Sequence, residues 1–146
     1  MEYLPIKLLR ETAMLPTRKT VGSVGYDIAA CIAEDVVVAP GEMKIIGSGF
    51  AMELEAGYAA FIYARSGLGI NYGIIPANCV GVIDSDYRGE IVIGLKNTSK
   101  ESFTVHNGDR IAQMIIAKCE LPILVIQDEL NETLRGSNRF GSTGGA

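Results

Sequence analysis

The stretch GEIVIGLKNTSKESFTVHNGDRIAQMIIAK, residues 89–118, carries the strongest fold signal in the chain. Short apolar runs are broken by residues with turn chemistry. The order reads strand, loop, strand, a tight turn at Asn107 and Gly108, strand. Upstream, EDVVVAPGEMKIIGSGF (34–50) reads as strand, turn at Pro40 and Gly41, strand. MELEAGYAAFIYA (52–64) adds a turn at Ala56 and Gly57 with a strand after it. Downstream, ELPILVIQ (120–127) is rich in strand-favouring residues and reads as one more strand. Turn signals recur about every ten residues, which predicts an antiparallel sandwich or barrel.

Helical periodicity is weak. The best candidate is SGLGINYGI (66–74), with Ser66 as a plausible N-cap and two internal glycines that keep it short. The tail NETLRGSNRFGSTGGA (131–146) is polar and glycine-rich, as a loose terminus is, yet it carries Arg135, Arg139 and Phe140, which a spacer does not need.

The 146 residues suit one domain. With 48% apolar and 21% charged residues, the chain is built for a packed core and excludes disorder, collagen and coiled coil. Apolar runs such as 58–64 are too short to cross a bilayer, and MEYLPIKLLRE (1–11) has no signal-peptide pattern. A net charge of −4 argues against a nucleic-acid coat, although a few local arginines suffice for a small anion. The single His106 excludes multi-histidine zinc sites, and any histidine triad must centre on it. Cys31, Cys79 and Cys119 form no CxxC pair and predict buried thiols in a reducing compartment.

Five segments are richer in chemistry than turns require. GSVGYDIAA (22–30) is a glycine turn in which Asp27 caps amides or meets a ligand. ARSGLG (64–69) sets Arg65 and Ser66 at a helix start, either as a plain cap or as an anion site. NCVGVIDSDYRGEI (78–91) places Asp84 and Asp86 before Tyr87; it is an Asx turn or a carboxylate able to deprotonate water. In NGDRIAQMI (107–115), strand alternation would point Ile111, Gln113 and Ile115 the same way, so the Gln amide needs a neighbouring-strand or ligand partner. RGSNRFGSTG (135–144) has amides and hydroxyls that can wrap phosphates and a Phe that can stack on a base, but it lacks the Walker pattern.

In this order the five segments closely resemble the signature motifs of the trimeric dUTPases, the deoxyuridine 5′-triphosphate nucleotidohydrolases. The resemblance runs from about residue 5 to the C-terminus, with Asn138 and Arg139 where the family usually has two glycines. It implies a homotrimer of jelly-roll-like antiparallel β-barrels with one short helix and active sites at subunit interfaces. The barrel would span 1–134, and 135–146 would be a mobile arm closing over the site. The implied reaction is dUTP and water to dUMP and pyrophosphate, by attack at the α-phosphorus. It keeps uracil out of DNA and supplies dUMP in the cytoplasm, with no nucleic-acid or membrane partner.

The resemblance also implies roles. Asp84 holds and activates the attacking water. Tyr87 lies beneath the deoxyribose and excludes a 2′-hydroxyl. Asn78 and the segment to Tyr87 read uracil, reject cytosine and leave no room for the thymine methyl. Arg65, Ser66 and Gly67 bind phosphates, and Gln113 contacts the α-phosphate or the water. Mg²⁺ is held by the three phosphates and waters, with Asp27 near its water shell. In the arm, Phe140 stacks on uracil while Arg135, Ser142 and Thr143 close on the γ-phosphate. Other readings are a dCTP deaminase on the same architecture, for which the nearby Glu90 matters, a non-enzymatic regulatory module, and a purely structural jelly-roll subunit.

Overall fold

The computed structural model describes residues 2–137. Within them the apolar runs become eleven strands and one short helix. They are β1 (Ile6–Leu8), β2 (Tyr26–Ala29), β3 (Val36–Val38), β4 (Met43–Gly47), β5 (Phe50–Met52), β6 (Tyr58–Tyr63), α1 (Ser66–Tyr72), β7 (Ile74–Pro76), β8 (Gly81–Ile83), β9 (Val92–Asn97), β10 (Phe103–Val105) and β11 (Arg110–Lys118). The predicted turns at 40–41, 56–57 and 107–108 all form, and Gly108 takes a positive φ that suits its tight turn.

Every strand pair is antiparallel. The sheets run β2-β11-β6-β8, β4-β9-β7, β1-β5 and β10-β3, giving the all-β, jelly-roll-like architecture. Phe50, Ile28, Ile46, Leu95 and Met114 lie fully inside. Each such side chain contributes about 1.5–3 kcal/mol by leaving water. Asn97 is also buried, and its amide is satisfied: Nδ2 donates to the carbonyls of Val38 and Glu101, while Oδ1 accepts from Ser99. That polar pin ties β9 to the end of β3.

Four expectations change. Residues 120–127 form no strand; Ile123 and Ile126 are 90% and 97% exposed, because this run meets no strand edge among the described residues. Ser66 does not cap α1. Arg65 occupies the cap position without a side-chain cap bond, because a guanidinium has no acceptor for the helix amides; it donates to Asp27 instead. A bulge at the start of β11 shifts the register between Arg110 and Ala112. Ile111 therefore turns inward beside Ala112, and Gln113 does not share its face. Cys31 alone among the cysteines is buried; Cys79 is exposed.

Candidate active site

The bulge assembles the site. Past it, Gln113 sits across from Asp27 on β2 and from Tyr63 on β6. Successive side chains alternate across a sheet, so these neighbours share one face. Two residues beyond Tyr63 comes Arg65. Its Nε donates to Asp27 Oδ1 at 2.7 Å and its Nη1 to the Arg110 carbonyl at 3.0 Å. Arg110 Nη1 donates to Asp27 Oδ2 at 2.9 Å. Gln113 Nε2 donates to the Ala64 carbonyl at 2.8 Å, which fixes the amide.

These side chains line an open cavity of about 480 Å³ with Lys19, Ser23 and Gly25. Three cations face one carboxylate. A guanidinium carries five N–H donors, so the bonds to Asp27 orient both arginines and leave donors free for an anion. The structure brings Asp27, Arg65 and Gln113 to one cavity, together with Lys19, Ser23 and Arg110, which the motif pattern does not single out. Arg110 was visible in the fourth segment, but only the bulge turns it toward Asp27.

Ser66 and Gly67 open α1 at the surface next to Arg65, and the helix is held there by Leu68, its one buried residue. Asn78, Asp84 and Tyr87 are exposed, and none of them lines the cavity. Strand register explains the separation. Ile83 pairs with Ala60, so Asp84 leaves β8 at one end of β6 and Arg65 follows the other. At about 3.4 Å per residue the two lie roughly 20 Å apart. Arg135 is exposed and outside the cavity. Phe140, Ser142 and Thr143 lie outside the described residues.

Glu90 is not placed as a free acid–base group. Arg10 Nη1 and Nη2 reach its two carboxylate oxygens at 2.5 and 2.9 Å, and the Gly49 amide donates to Oε1 at 2.8 Å. Arg10 holds its carboxyl below the usual glutamate value. A locked anion has no proton to give at neutral pH, which removes the feature that favoured a deaminase.

Among the described residues, no group of three or more His, Cys, Asp and Glu side chains is arranged for a metal. A cationic cavity with one carboxylate fits an ion carried in by phosphates and water.

The dUTPase family profile matches residues 11–144. A deoxyuridine 5′-triphosphate nucleotidohydrolase of Nautilia profundicola is 45% identical over 141 residues, covering 97% of this chain and 98% of the relative. That of Desulfotalea psychrophila is 42% identical over 134 residues, covering 92% and 89%. Among solved structures, a Staphylococcus bacteriophage 80alpha dUTPase with dUPNHPP superposes with a TM-score of 0.89 at 29% identity, over 99% of each chain. A variant dUTPase of phage phi11 of S. aureus, whose structure describes coordination of a structural Mg(II) ion, gives 0.82 at 26% identity, over 90% of this chain and 100% of the phage chain.

Proposed function

This chain belongs to the dUTPase family and hydrolyses dUTP to dUMP and pyrophosphate, and we propose that its cavity is the phosphate half of a site completed by another protomer. The observation that carries this reading is the convergence of Lys19, Arg65 and Arg110 on one cavity while the 78–87 segment stands elsewhere.

In the proposed complex, Arg65, Arg110 and Lys19 bind the triphosphate, with Ser66 and Gly67 at its edge. Gln113 holds the α-phosphate or the attacking water. From a neighbouring protomer, Asn78 and the backbone to Tyr87 read the uracil edge, and Tyr87 packs under the sugar. Asp84 orients the water and takes its proton as the oxygen attacks the α-phosphorus; pyrophosphate leaves. Phosphoryl transfer needs positioning and charge more than covalent chemistry, which suits this inventory. Mg²⁺ bound to the phosphates would neutralise developing charge, and Asp27, while anchoring the arginines, would meet its water shell. The arm, 135–146, would bring Phe140 onto the base and Arg135, Ser142 and Thr143 onto the γ-phosphate.

The trimer is supported by the exposed apolar run 121–126, a surface that oligomers cover. A cytoplasmic location is supported by three free cysteines, one of them exposed. Among the described residues no helix is long and apolar enough to cross a membrane.

The test is pyrophosphate release from dUTP, dCTP, dTTP and UTP, with and without Mg²⁺. dUTP should exceed each of the others by at least about a hundredfold, because a polar base-reading site leaves groups unpaired with the wrong base. Asp84→Asn should retain nucleotide binding and lose about 10²–10⁴ in single-turnover rate, the contribution of a general base. Ammonia release from dCTP, or near-normal turnover of Asp84→Asn, would overturn the reading.

A further inference from the structure

Tyr87 owes its place to a clamp that lies outside the reacting groups. Its hydroxyl donates to the Glu90 carbonyl at 3.0 Å, and its ring packs over Gly89, where an added Cβ would sit 2.4 Å from the hydroxyl oxygen. The ring position is therefore only as fixed as the backbone at 89–90. That backbone is held from two sides. Ile91 N–H donates to the Phe50 carbonyl at 2.9 Å and the Ser48 hydroxyl to the Ile91 carbonyl at 2.5 Å. The Glu90 carboxylate takes the fork of Arg10 from the N-terminal segment and the amide of Gly49. The carboxylate sits where a side chain at residue 47 would press on it: a Cβ on Gly47 would lie 2.6 Å from Glu90 Oε1.

We propose that the Arg10–Glu90 pair is a specificity-positioning device: it fixes the 87–90 turn so that the Tyr87 ring closes the space a ribose 2′-hydroxyl would need. The proposal rests on the reading of Tyr87 given above. Two bonds in fork geometry restrict both distance and angle, which a single contact does not. Arg10 is half exposed, so the pair adds little to fold stability and its consequence is geometric. A bidentate arginine has no equal in lysine, whose single ammonium makes a point contact. Loosening the clamp lets the ring drift, and discrimination falls before turnover does.

The experiment measures kcat and KM for dUTP and UTP with wild type, Arg10→Met, Glu90→Gln, Arg10→Lys and Tyr87→Ala, together with Tm. The dUTP-to-UTP ratio of kcat/KM should fall about tenfold in Arg10→Met and Glu90→Gln, the scale of one lost pocket contact. The loss should appear as a higher KM for dUTP and a lower KM for UTP, with kcat for dUTP nearly unchanged. Arg10→Lys should recover part of the ratio. A purely structural pair would lower Tm or active fraction and affect both nucleotides alike; that result overturns the proposal. If Tyr87→Ala lowers the ratio and the clamp variants do not, the clamp fails while the role of Tyr87 survives. If Tyr87→Ala also leaves the ratio unchanged, both fall together.

Discussion

Gly25 shows how one missing atom serves the chemistry. A Cβ at residue 25 would lie 2.6 Å from Gln113 Oε1, so the amide of Gln113 occupies the space a side chain would fill. The atom displaced by Gly25→Ala is the far end of a flexible side chain, not backbone. Gln113 can swing away, at the loss of its bond to the Ala64 carbonyl. The fold should tolerate this within about 1 kcal/mol, the usual net worth of one hydrogen bond. On the proposed role of Gln113 turnover should not tolerate it: misplacing a group that aligns water and phosphate costs about 10²-fold. Gly25→Ala should therefore keep its Tm within a few degrees and lose activity to that extent, as thermal melts beside steady-state assays on one sample would reveal.

At the scale of elements, β3 and β10 form a two-stranded sheet closed at one end by a charged contact. Asp35 precedes β3, and His106 follows β10 and donates through Nδ1 to the Asp35 carboxylate at 2.8 Å. The backbone amide of His106 also donates to Asp109 Oδ2. The hydrogen bond and charge of Asp35, with a smaller contribution from Asp109, raise the His106 pKa above the usual 6.5. The sign follows from linkage. A raised histidine pKa means that the folded state binds the proton more tightly, so the added stability is fully present below 6.5 and fades as pH climbs through the raised value. His106→Asn should remove this component: the Tm gap to wild type should be widest in mild acid and shrink above neutrality. Both side chains are largely exposed, so the gap should be small and should narrow further in high salt. Elements like these were readable in advance, since β-branched runs and the Pro40–Gly41, Ala56–Gly57 and Asn107–Gly108 turns act locally. What escaped the sequence was not local. The β11 bulge adds a residue that alternation cannot show, and it carries Ile111 inward and Arg110 onto Asp27. The run 120–127 has strand composition, but pairing needs an edge, and the described residues of its own chain supply none. Lys19 and the Arg10–Glu90 pair join residues remote in sequence, 80 positions apart for the pair.

For the whole molecule, the roughly 20 Å between Asp84 and Arg65 along β6 has a direct consequence for assembly. In the proposed reaction, a water activated by Asp84 must reach the α-phosphorus of a triphosphate held by Arg65. One chain cannot bring them together without breaking the β6–β8 register of Ala60 with Ile83, Phe61 with Val82 and Ile62 with Gly81. Two protomers can, if the 78–87 segment of one meets the cavity of the next. Cyclic symmetry then makes each protomer contribute different halves to different sites. Asp84→Asn spoils one half and Arg65→Met the other, and trimers made from either variant alone should be nearly inactive. Mixed trimers behave differently. When the two variants are co-refolded in equal amounts and assemble at random, about a quarter of the sites should receive an intact segment from one chain and an intact cavity from another. Activity should therefore reappear on mixing, at about that fraction of wild type, and track the trimer peak in size-exclusion chromatography. Were both halves drawn from a single chain, every site would carry one lesion and the mixture would stay as inactive as its components. Polar substitutions at Ile123 and Ile126 should abolish this complementation by weakening assembly, since these exposed apolar residues are the ones a neighbouring protomer would cover.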